Sequence, residues 1–229
     1  HNNNAGRVKI MLWTQGASSV TAGGVYTVSG TTAGNYPDVD HNTTDNYYIV
    51  AYRDTNNNVT LRLITSSGSG SSPTAAGGSH HIFPAARANY TGPRVCYHPP
   101  SNKFLIATGA ASQSDGLVGM VIAPTKSNGS MNATGSDIGL TTYNGTTYSA
   151  AGGMQWDMKY DANSQAIILT WGVRSGNNMY VRTIKPNSSD ATLEFGPIHA
   201  VGSSGQVHLY VGLACDTNVG KTALLSDFS

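Results

Sequence analysis

The stretch Pro93-Arg-Val-Cys-Tyr-His-Pro-Pro-Ser-Asn-Lys-Phe-Leu-Ile-Ala107 combines an apolar strand-like segment, a polar turn and a second strand-like segment. The same pattern recurs at residues 36–52, 154–169 and 211–225, and a truncated copy at residues 4–12 aligns with residues 218–226. Repeats of this size are typical of stacked or radial architectures, in which each unit packs on its neighbours. The pattern predicts an architecture more directly than it predicts an activity.

The spacing of the copies defines the repeating unit. Taken as equivalent positions, Val39, Tyr97, Tyr160 and Cys215 are 58, 63 and 55 residues apart. A unit of about 58 residues has room for four strands of ordinary length and their turns. We therefore treat the chain as a single repeat domain with the units 1–35 (partial), 36–92, 93–153, 154–210 and 211–229 (partial).

The hydrophobic pattern predicts four antiparallel strands in each full unit. In the second full unit the predicted strands are residues 94–98, 103–109, 117–123 and 141–148. The second strand of each unit is the most apolar, as in Phe104-Leu-Ile-Ala-Thr108, which indicates burial on both faces. Glycine- and serine-rich stretches at residues 66–79 and 127–139 predict extended surface loops, and we expect no long helix.

Two architectures fit such units: a β-propeller of four-stranded blades, and a β-sandwich as the alternative. The regular spacing favours the propeller. The aromatic-Asp strand end, short turn and apolar second strand, as in residues 154–169, resemble the divergent β-propeller repeats of extracellular and viral fibre or adhesin proteins. This resemblance covers about residues 36–229 plus the truncated first copy, and it implies an all-β, propeller-like array.

The sequence places a partial unit at each end of the array. The first copy opens at a second-strand position, and residues 221–228 also align with a second strand. This predicts either an incomplete ring or end strands that pair with another copy, because an exposed strand edge accepts a further strand. Since the first residue is His1, we expect that any targeting segment has been removed.

Composition bounds the possible partners. Charged residues make up 11% of the chain and the net charge is +1, so there is no electrostatic footprint for nucleic acid or an anionic membrane. No apolar run approaches the roughly 18 residues of a transmembrane helix, and we expect no membrane insertion.

Seven Asn-X-Ser/Thr sequons lie mostly in predicted turns and loops. In a protein secreted from a eukaryotic cell they predict N-linked glycans. In a bacterial or phage protein they would be accidents of an Asn-, Ser- and Thr-rich composition, and both interpretations stay open. The candidate glycosylation sites are Asn42, Asn58, Asn89, Asn128, Asn132, Asn144 and Asn187.

Metal and catalytic motifs are weak. Turn sequences such as Asp54-Thr-Asn56 and Asp161-Ala-Asn163 have part of the ligand spacing of calcium loops, but Asx turns explain them better. His80 and His81 are adjacent on a strand and therefore point to opposite faces. There is no nucleophile elbow or phosphate-binding loop, and Glu194 is the only glutamate. We expect no catalytic residue, no metal and no cofactor.

The aromatic residues are candidates for ligand contact or core packing, and the two cysteines for a disulfide or free thiols. Tyr (12) and Trp (3) outnumber Phe (4), which favours rings with a polar edge for sugar or protein contacts. We assign the three tryptophans to core packing and choose surface tyrosines as contact candidates: Trp13, Trp156 and Trp171, and Tyr90, Tyr143 and Tyr148. The repeat alignment places Cys96 and Cys215 on opposite strand faces, which favours free thiols, with a disulfide as the alternative.

These observations predict a non-catalytic structural protein. We expect a subunit of an extracellular filament, or of a fibre on a cell or virion surface, that assembles with copies of itself. The first alternative is a carbohydrate-binding, lectin-like propeller, which would have glycans as partners. A glycan-cleaving enzyme on the same scaffold is a third alternative, and it would need two carboxylates about 5–10 Å apart.

Overall fold

A computed structural model describes residues 6–30, 34–66, 72–83, 92–109, 116–148, 156–173, 178–201, 208–216 and 221–228. The described residues contain strands and turns, no α-helix, and a single 3-10 turn at Pro99–Ser101. The predicted all-β class is therefore confirmed. The strands form a series of small antiparallel sheets, and two of these sheets have the expected four strands.

A hairpin and two four-stranded sheets come first. The hairpin consists of β1 (Lys9–Gln15) and β2 (Val20–Thr27). The first sheet contains β3 (Gly34–Asn42), β4 (Tyr47–Asp54), β5 (Val59–Thr65) and β6 (Thr74–Phe83). The second sheet contains β7 (Arg94–His98), β8 (Lys103–Gly109), β9 (Leu117–Ile122) and β10 (Ala133–Gly139).

The remaining strands follow the same plan. A small hairpin, β11 (Thr142–Tyr143) and β12 (Thr146–Thr147), precedes the third sheet. The third sheet contains β13 (Trp156–Asp161), β14 (Ala166–Val173) and β15 (Asn178–Pro186), and β15 also pairs with the short strands β16 (Leu193–Phe195) and β17 (His199–Val201). The last hairpin is β18 (His208–Asp216) and β19 (Lys221–Phe228).

A four-residue turn joins the first two strands of each complete sheet. The residue that precedes the second strand has a left-handed backbone, with φ of 54° at Asn46, 53° at Asn102 and 50° at Gln165. Asparagine tolerates this conformation better than most residues. The turn is the polar segment of the sequence repeat, and it reverses the chain between two apolar strands.

The strand register corrects the alignment of the repeats. The closing pairs of these turns are Asn42 with Tyr47, His98 with Lys103, Asp161 with Ala166 and Asp216 with Lys221. His41 is therefore the position of β3 that is equivalent to Tyr97, Tyr160 and Cys215. Val39, chosen from the sequence, lies two positions too early because the apolar pattern of β3 is too weak to fix its register.

Apolar side chains fill the spaces between successive sheets. Phe104 and Ile106 of β8 join one buried cluster with the first sheet, whereas Leu105 and Ala107 join another with the third sheet. Alternate residues of one strand point to opposite faces, so β8 contributes to both cores. This explains its continuous apolar run and confirms the expectation that second strands are buried on both faces.

The first strands of the sheets lie side by side in chain order. β3 contacts β7, β7 contacts β13, and β13 contacts β18. The β1–β2 hairpin packs on the other face of the first sheet, where Val8 and Val28 meet Val50, Tyr52 and Ile64. The molecule is thus an ordered array of sheets between two hairpins.

Two predicted surface loops are wrong in part. β6 occupies the end of the 66–79 segment, and β10 occupies the end of the 127–139 segment. The fourth strand of the second sheet is accordingly β10, and residues 141–148 form the β11–β12 hairpin instead. These outer strands are rich in Gly, Ser and Thr because much of their surface faces solvent, so they lack the apolar signal on which the prediction depended.

Candidate functional site

Carboxylates of the first sheet accept backbone N–H groups from the second sheet. Val95 donates to Asp38 Oδ2 at 2.8 Å, and Tyr97 donates to Asp40 Oδ2 at 2.6 Å. Burial between the sheets raises the pKa of both carboxyl groups, although the amide hydrogen bonds oppose the shift. Two aspartate side chains therefore link the two sheets, and their burial disfavours the charged form of each carboxyl group.

Equivalent contacts occur at the other junctions. Leu213 of β18 donates its backbone N–H to Asp157 Oδ2 of β13 at 2.9 Å. Between β7 and β13 the corresponding side chain is Cys96, whose thiol lies at the backbone amide of Tyr160, and burial raises the pKa of this thiol. Both cysteines are free, with Cys96 buried and Cys215 partly exposed, as the face argument favoured. Asp157 and Cys96 therefore hold neighbouring sheets together.

Arg182 is a buried charged side chain of β15. Its side chain is 2% exposed, and its guanidinium donates to the carbonyl oxygens of Leu140 (2.9 Å), Thr142 (3.0 Å) and Gly196 (2.9 Å). It also lies 4.3 Å from the centre of the Phe195 ring. Burial lowers the pKa of the guanidinium, but arginine stays charged at any ordinary pH. Arg182 thus fastens two loops to β15.

The candidate site Asn42 is the least accessible of the described sequons. It is fully buried, and its Nδ2 donates to Asn102 Oδ1 at 2.9 Å. Its Oδ1 accepts the backbone N–H groups of Thr44 and Asp45, which completes an Asx turn. A glycan on Nδ2 would have no space beside this network.

The remaining sequons differ in exposure. Asn89 lies outside the described residues. Asn128 is exposed, and Asn144 is exposed at the tip of the β11–β12 hairpin, where Asn144 and Gly145 have φ of 50° and 77°. The amide nitrogens of the other three donate hydrogen bonds to groups in nearby turns: Asn58, Asn132 and Asn187.

We predict that glycans, where the protein is glycosylated, are present on Asn144 and absent from Asn42. The transferase requires an accessible acceptor amide in an exposed turn, and only Asn144 of this pair provides it. Peptide mapping by mass spectrometry after secretion from a glycosylating eukaryotic host measures the occupancy of each site. A glycan on Asn42 in folded protein would contradict the buried network.

A cleft of about 220 Å³ lies beside the 3-10 turn. His98 lines it, with Nδ1 2.8 Å from Ser101 Oγ and Nε2 3.0 Å from the carbonyl oxygen of Gln165. Burial lowers the pKa of His98, so the ring is neutral at neutral pH. The described lining contains a single carboxylate, that of Glu194. Because both ring nitrogens are engaged, His98 acts as a link between two turns.

Exposed apolar side chains are concentrated at the β1–β2 end of the array. Met11, Trp13 and Val25 share the outer face of the hairpin, since Met11 pairs with Val25 across it and Trp13 lies two residues along β1. Trp13 is 61% exposed, so its assignment to the core is wrong, whereas Trp156 and Trp171 are buried as expected. The pattern of β1 alone could not show that one face of the hairpin lacks a covering sheet.

A second exposed apolar side chain lies on β3, on the face of the first sheet that the hairpin covers only in part. Val39 is 49% exposed and lines a groove of about 200 Å³ with Val8, Ile10, Pro37 and Val50. Large exposed apolar patches on a folded protein commonly mark an interaction site. We call the outer side chains of β1–β2 together with Val39 the apolar surface, and it is the strongest candidate functional site among the described residues.

The aspartates of the polar turns bind backbone N–H groups. Asp54 Oδ1 accepts the backbone N–H groups of Asn56 and Asn58, and Asp161 accepts those of Asn163 and Ser164. The Asx-turn interpretation of these sequences is therefore confirmed. Within the described ranges, no three His, Cys, Asp or Glu side chains lie where they could share a metal ion.

The tyrosines chosen from the sequence have varied settings. Tyr148 packs edge-on against Tyr180, with ring centres 5.0 Å apart, and Tyr143 lies 5.9 Å from the Arg182 guanidinium. Tyr90 lies outside the described residues. A role in ligand contact stays a prediction for these residues.

Comparison with protein-family models, with curated proteins and with solved structures finds no match to this chain. In the described part of the chain, no helix has the length and apolar character needed to cross a membrane.

Proposed function

We propose that this protein is a non-catalytic extracellular structural protein, a subunit of a filament or of a cell-surface or virion fibre that assembles from copies of itself. The apolar surface is the observation that carries this proposal. Trp13 is 61% exposed and Val39 is 49% exposed, and burial of such side chains favours association. Self-association gives these residues a covering partner without requiring a second protein.

The proposed arrangement of the sheets is a propeller-like array. Support comes from the adjacency of the first strands, β3, β7, β13 and β18, and from apolar cores between successive four-stranded sheets. Radial blades place their first strands together near an axis in the same way. The unit of about 58 residues inferred from the sequence fits one blade.

The proposed location is outside the cell or on a cell or virion surface. Support comes from the low charge content, 11%, and from sequons in exposed turns such as those at Asn128 and Asn144. The balanced charge also gives no basis for nucleic acid as a partner.

A lectin-like function is the second candidate, and one observation favours it. The indole of Trp13 is exposed on a strand, and such rings stack on sugar faces. A glycan array probed with the purified protein tests this alternative. Binding that is lost in Trp13→Ala, with assembly unchanged, would support the lectin function.

Electron microscopy and native mass measurement of the purified protein test the proposed function. We expect filaments or a ladder of oligomers built on the 23.9 kDa chain. Discrete monomers at all accessible concentrations would contradict self-assembly.

A further inference from the structure

The two hairpins correspond to different halves of a four-stranded sheet. In the first two sheets, the strands follow chain order from a first strand that contacts its neighbour to an outer fourth strand. The β1–β2 hairpin directly precedes β3, a first strand, so it takes third and fourth positions. The β18–β19 hairpin takes first and second positions, because β18 contacts β13.

A local sequence match supports this assignment. Thr21-Ala-Gly-Gly24 of β2 resembles Thr74-Ala-Ala-Gly-Gly78 of β6, which is a fourth strand. The alignment that put β1 and β19 both at the second-strand position is therefore superseded by the order of strands in the structure. The hairpins are complementary rather than alike.

The β1–β2 hairpin covers only part of the outer face of the first sheet. The β1–β2 hairpin covers β4 and β5, where it buries Val50, Tyr52 and Ile64. Val39 of β3 stays 49% exposed, whereas Val95, its equivalent on β7, is 4% exposed. The uncovered strip therefore has the position where the first and second strands of a neighbouring sheet would pack.

On the third sheet, the β18–β19 hairpin covers the first two strands and leaves β15 partly uncovered. The β18–β19 hairpin covers β13 and β14 through contacts such as that of Leu213 with Asp157. Val181 and Thr183 of β15 lie on the same sheet face and are only partly buried. This strip has the position where the third and fourth strands of a neighbouring sheet would pack, and Met11, Trp13 and Val25 form an apolar face that would cover it.

We propose that the β18–β19 hairpin of one copy pairs along β1 of a second copy, so that two chains complete one four-stranded sheet. This inference rests on the proposed self-assembly and names its interface. Among the described residues, β1 pairs only with β2 and β19 only with β18, and β3 has no extensive contact with β18. Both strand edges are therefore available to a neighbouring chain, and strand addition satisfies their backbone groups.

The contact is head to tail, since the donating surface differs from the receiving one. A heterologous contact that does not close into a ring generates an open filament. On the donating hairpin, Gly212 and Ala214 occupy the positions of Asp38 and Asp40 and point away from the third sheet. Small side chains there leave room for Val39 of the receiving copy.

The test uses one blocked surface per variant of the full chain. Ala214→Glu damages the donating surface and Val39→Glu damages the receiving surface, and both positions are exposed within their own chain. We expect each variant alone to lose all species larger than a monomer. An equimolar mixture regains a dimer and nothing larger, because each intact donating surface finds one intact receiving surface.

Ala200→Glu is the matched control, an exposed alanine on β17 outside the proposed contact, and it should assemble like the unmodified chain. Circular dichroism checks that each variant is folded. If the unmodified chain assembles and both single variants also assemble alone, this interface is wrong while self-assembly stands. If the unmodified chain stays monomeric, the proposed function fails as well.

A backbone variant tests the free strand edge of β1 directly. Val28 donates its N–H to the carbonyl of Val8, so Val8 and Val28 form a hydrogen-bonded pair and the N–H of Met11 points to the free edge of β1. Met11→Pro removes that donor without breaking the pairing of β1 with β2. We expect Met11→Pro to behave as Val39→Glu does: it stays monomeric alone and forms a dimer when mixed with Ala214→Glu, whose receiving surface is intact. Unchanged assembly of Met11→Pro would overturn strand pairing at β1.

Discussion

Arg182→Ala is expected to lower the free energy of unfolding by about 3–4 kcal/mol, because several buried hydrogen bonds to a charged group are lost together. The substitution removes the donors for the carbonyl oxygens of Leu140, Thr142 and Gly196. It also removes the cation that lies 4.3 Å from the centre of the Phe195 ring. Urea denaturation followed by circular dichroism measures the loss.

Two comparison variants separate the hydrogen bonds from the positive charge. Arg182→Lys keeps the charge, but its ammonium cannot reproduce the planar fork that reaches separate carbonyls, so we expect most of the stability to be lost. Arg62→Ala removes an arginine that donates to Ser79 and Tyr26 in a more open setting, and we expect a cost of about 0–1 kcal/mol. Equal effects at Arg182 and Arg62 would show that burial of the Arg182 network has little importance.

The second strands and their turns were predictable because both carry local signals. The predicted strand at residues 103–109 agrees with β8, whose apolar residues serve two cores. Its preceding turn needs a left-handed residue, and Asn102 supplies it. Local chemistry and tertiary environment agree at these positions, so the sequence pattern and the structure coincide.

The outer strands and the apolar surface were not predictable for a different reason. β10 contains Ala, Thr, Gly and Ser, which give no alternation of apolar and polar residues. Trp13 and Trp156 both lie in strands with apolar residues, but only Trp156 faces a neighbouring sheet. Which strand face receives a covering sheet is set by the stacking of sheets, and a single strand does not encode it.

The junction carboxylates have a local sequence signal but a distant partner. Asp38 and Asp40 alternate along β3, so both point to one face of a strand that borders another sheet. Carboxylates at successive inward positions need donors, and here the donors are the backbone N–H groups of a strand about 57 residues away. That partner depends on the register between sheets, which local sequence does not determine.

Replacing both Asp38 and Asp40 by alanine is expected to cost about 2–5 kcal/mol, because the N–H groups of Val95 and Tyr97 lose their acceptors at a buried junction. The matched double asparagine variant keeps a carbonyl acceptor at each position without a charge. We expect its stability to be close to that of the unmodified chain at neutral pH. Urea unfolding of both double variants measures this difference.

The same pair predicts the sign of a pH effect. Burial raises the pKa of Asp38 and Asp40 in the folded chain above the value of about 3.9 for an unfolded aspartate. Their contribution to stability is therefore fully present below that value and is lost as the pH rises through the folded pKa. Relative to the double asparagine variant, the unmodified chain should lose stability as the pH rises above about 4 and through the raised pKa values of the folded chain. A relative gain over this range would show that the junction favours the charged carboxylates.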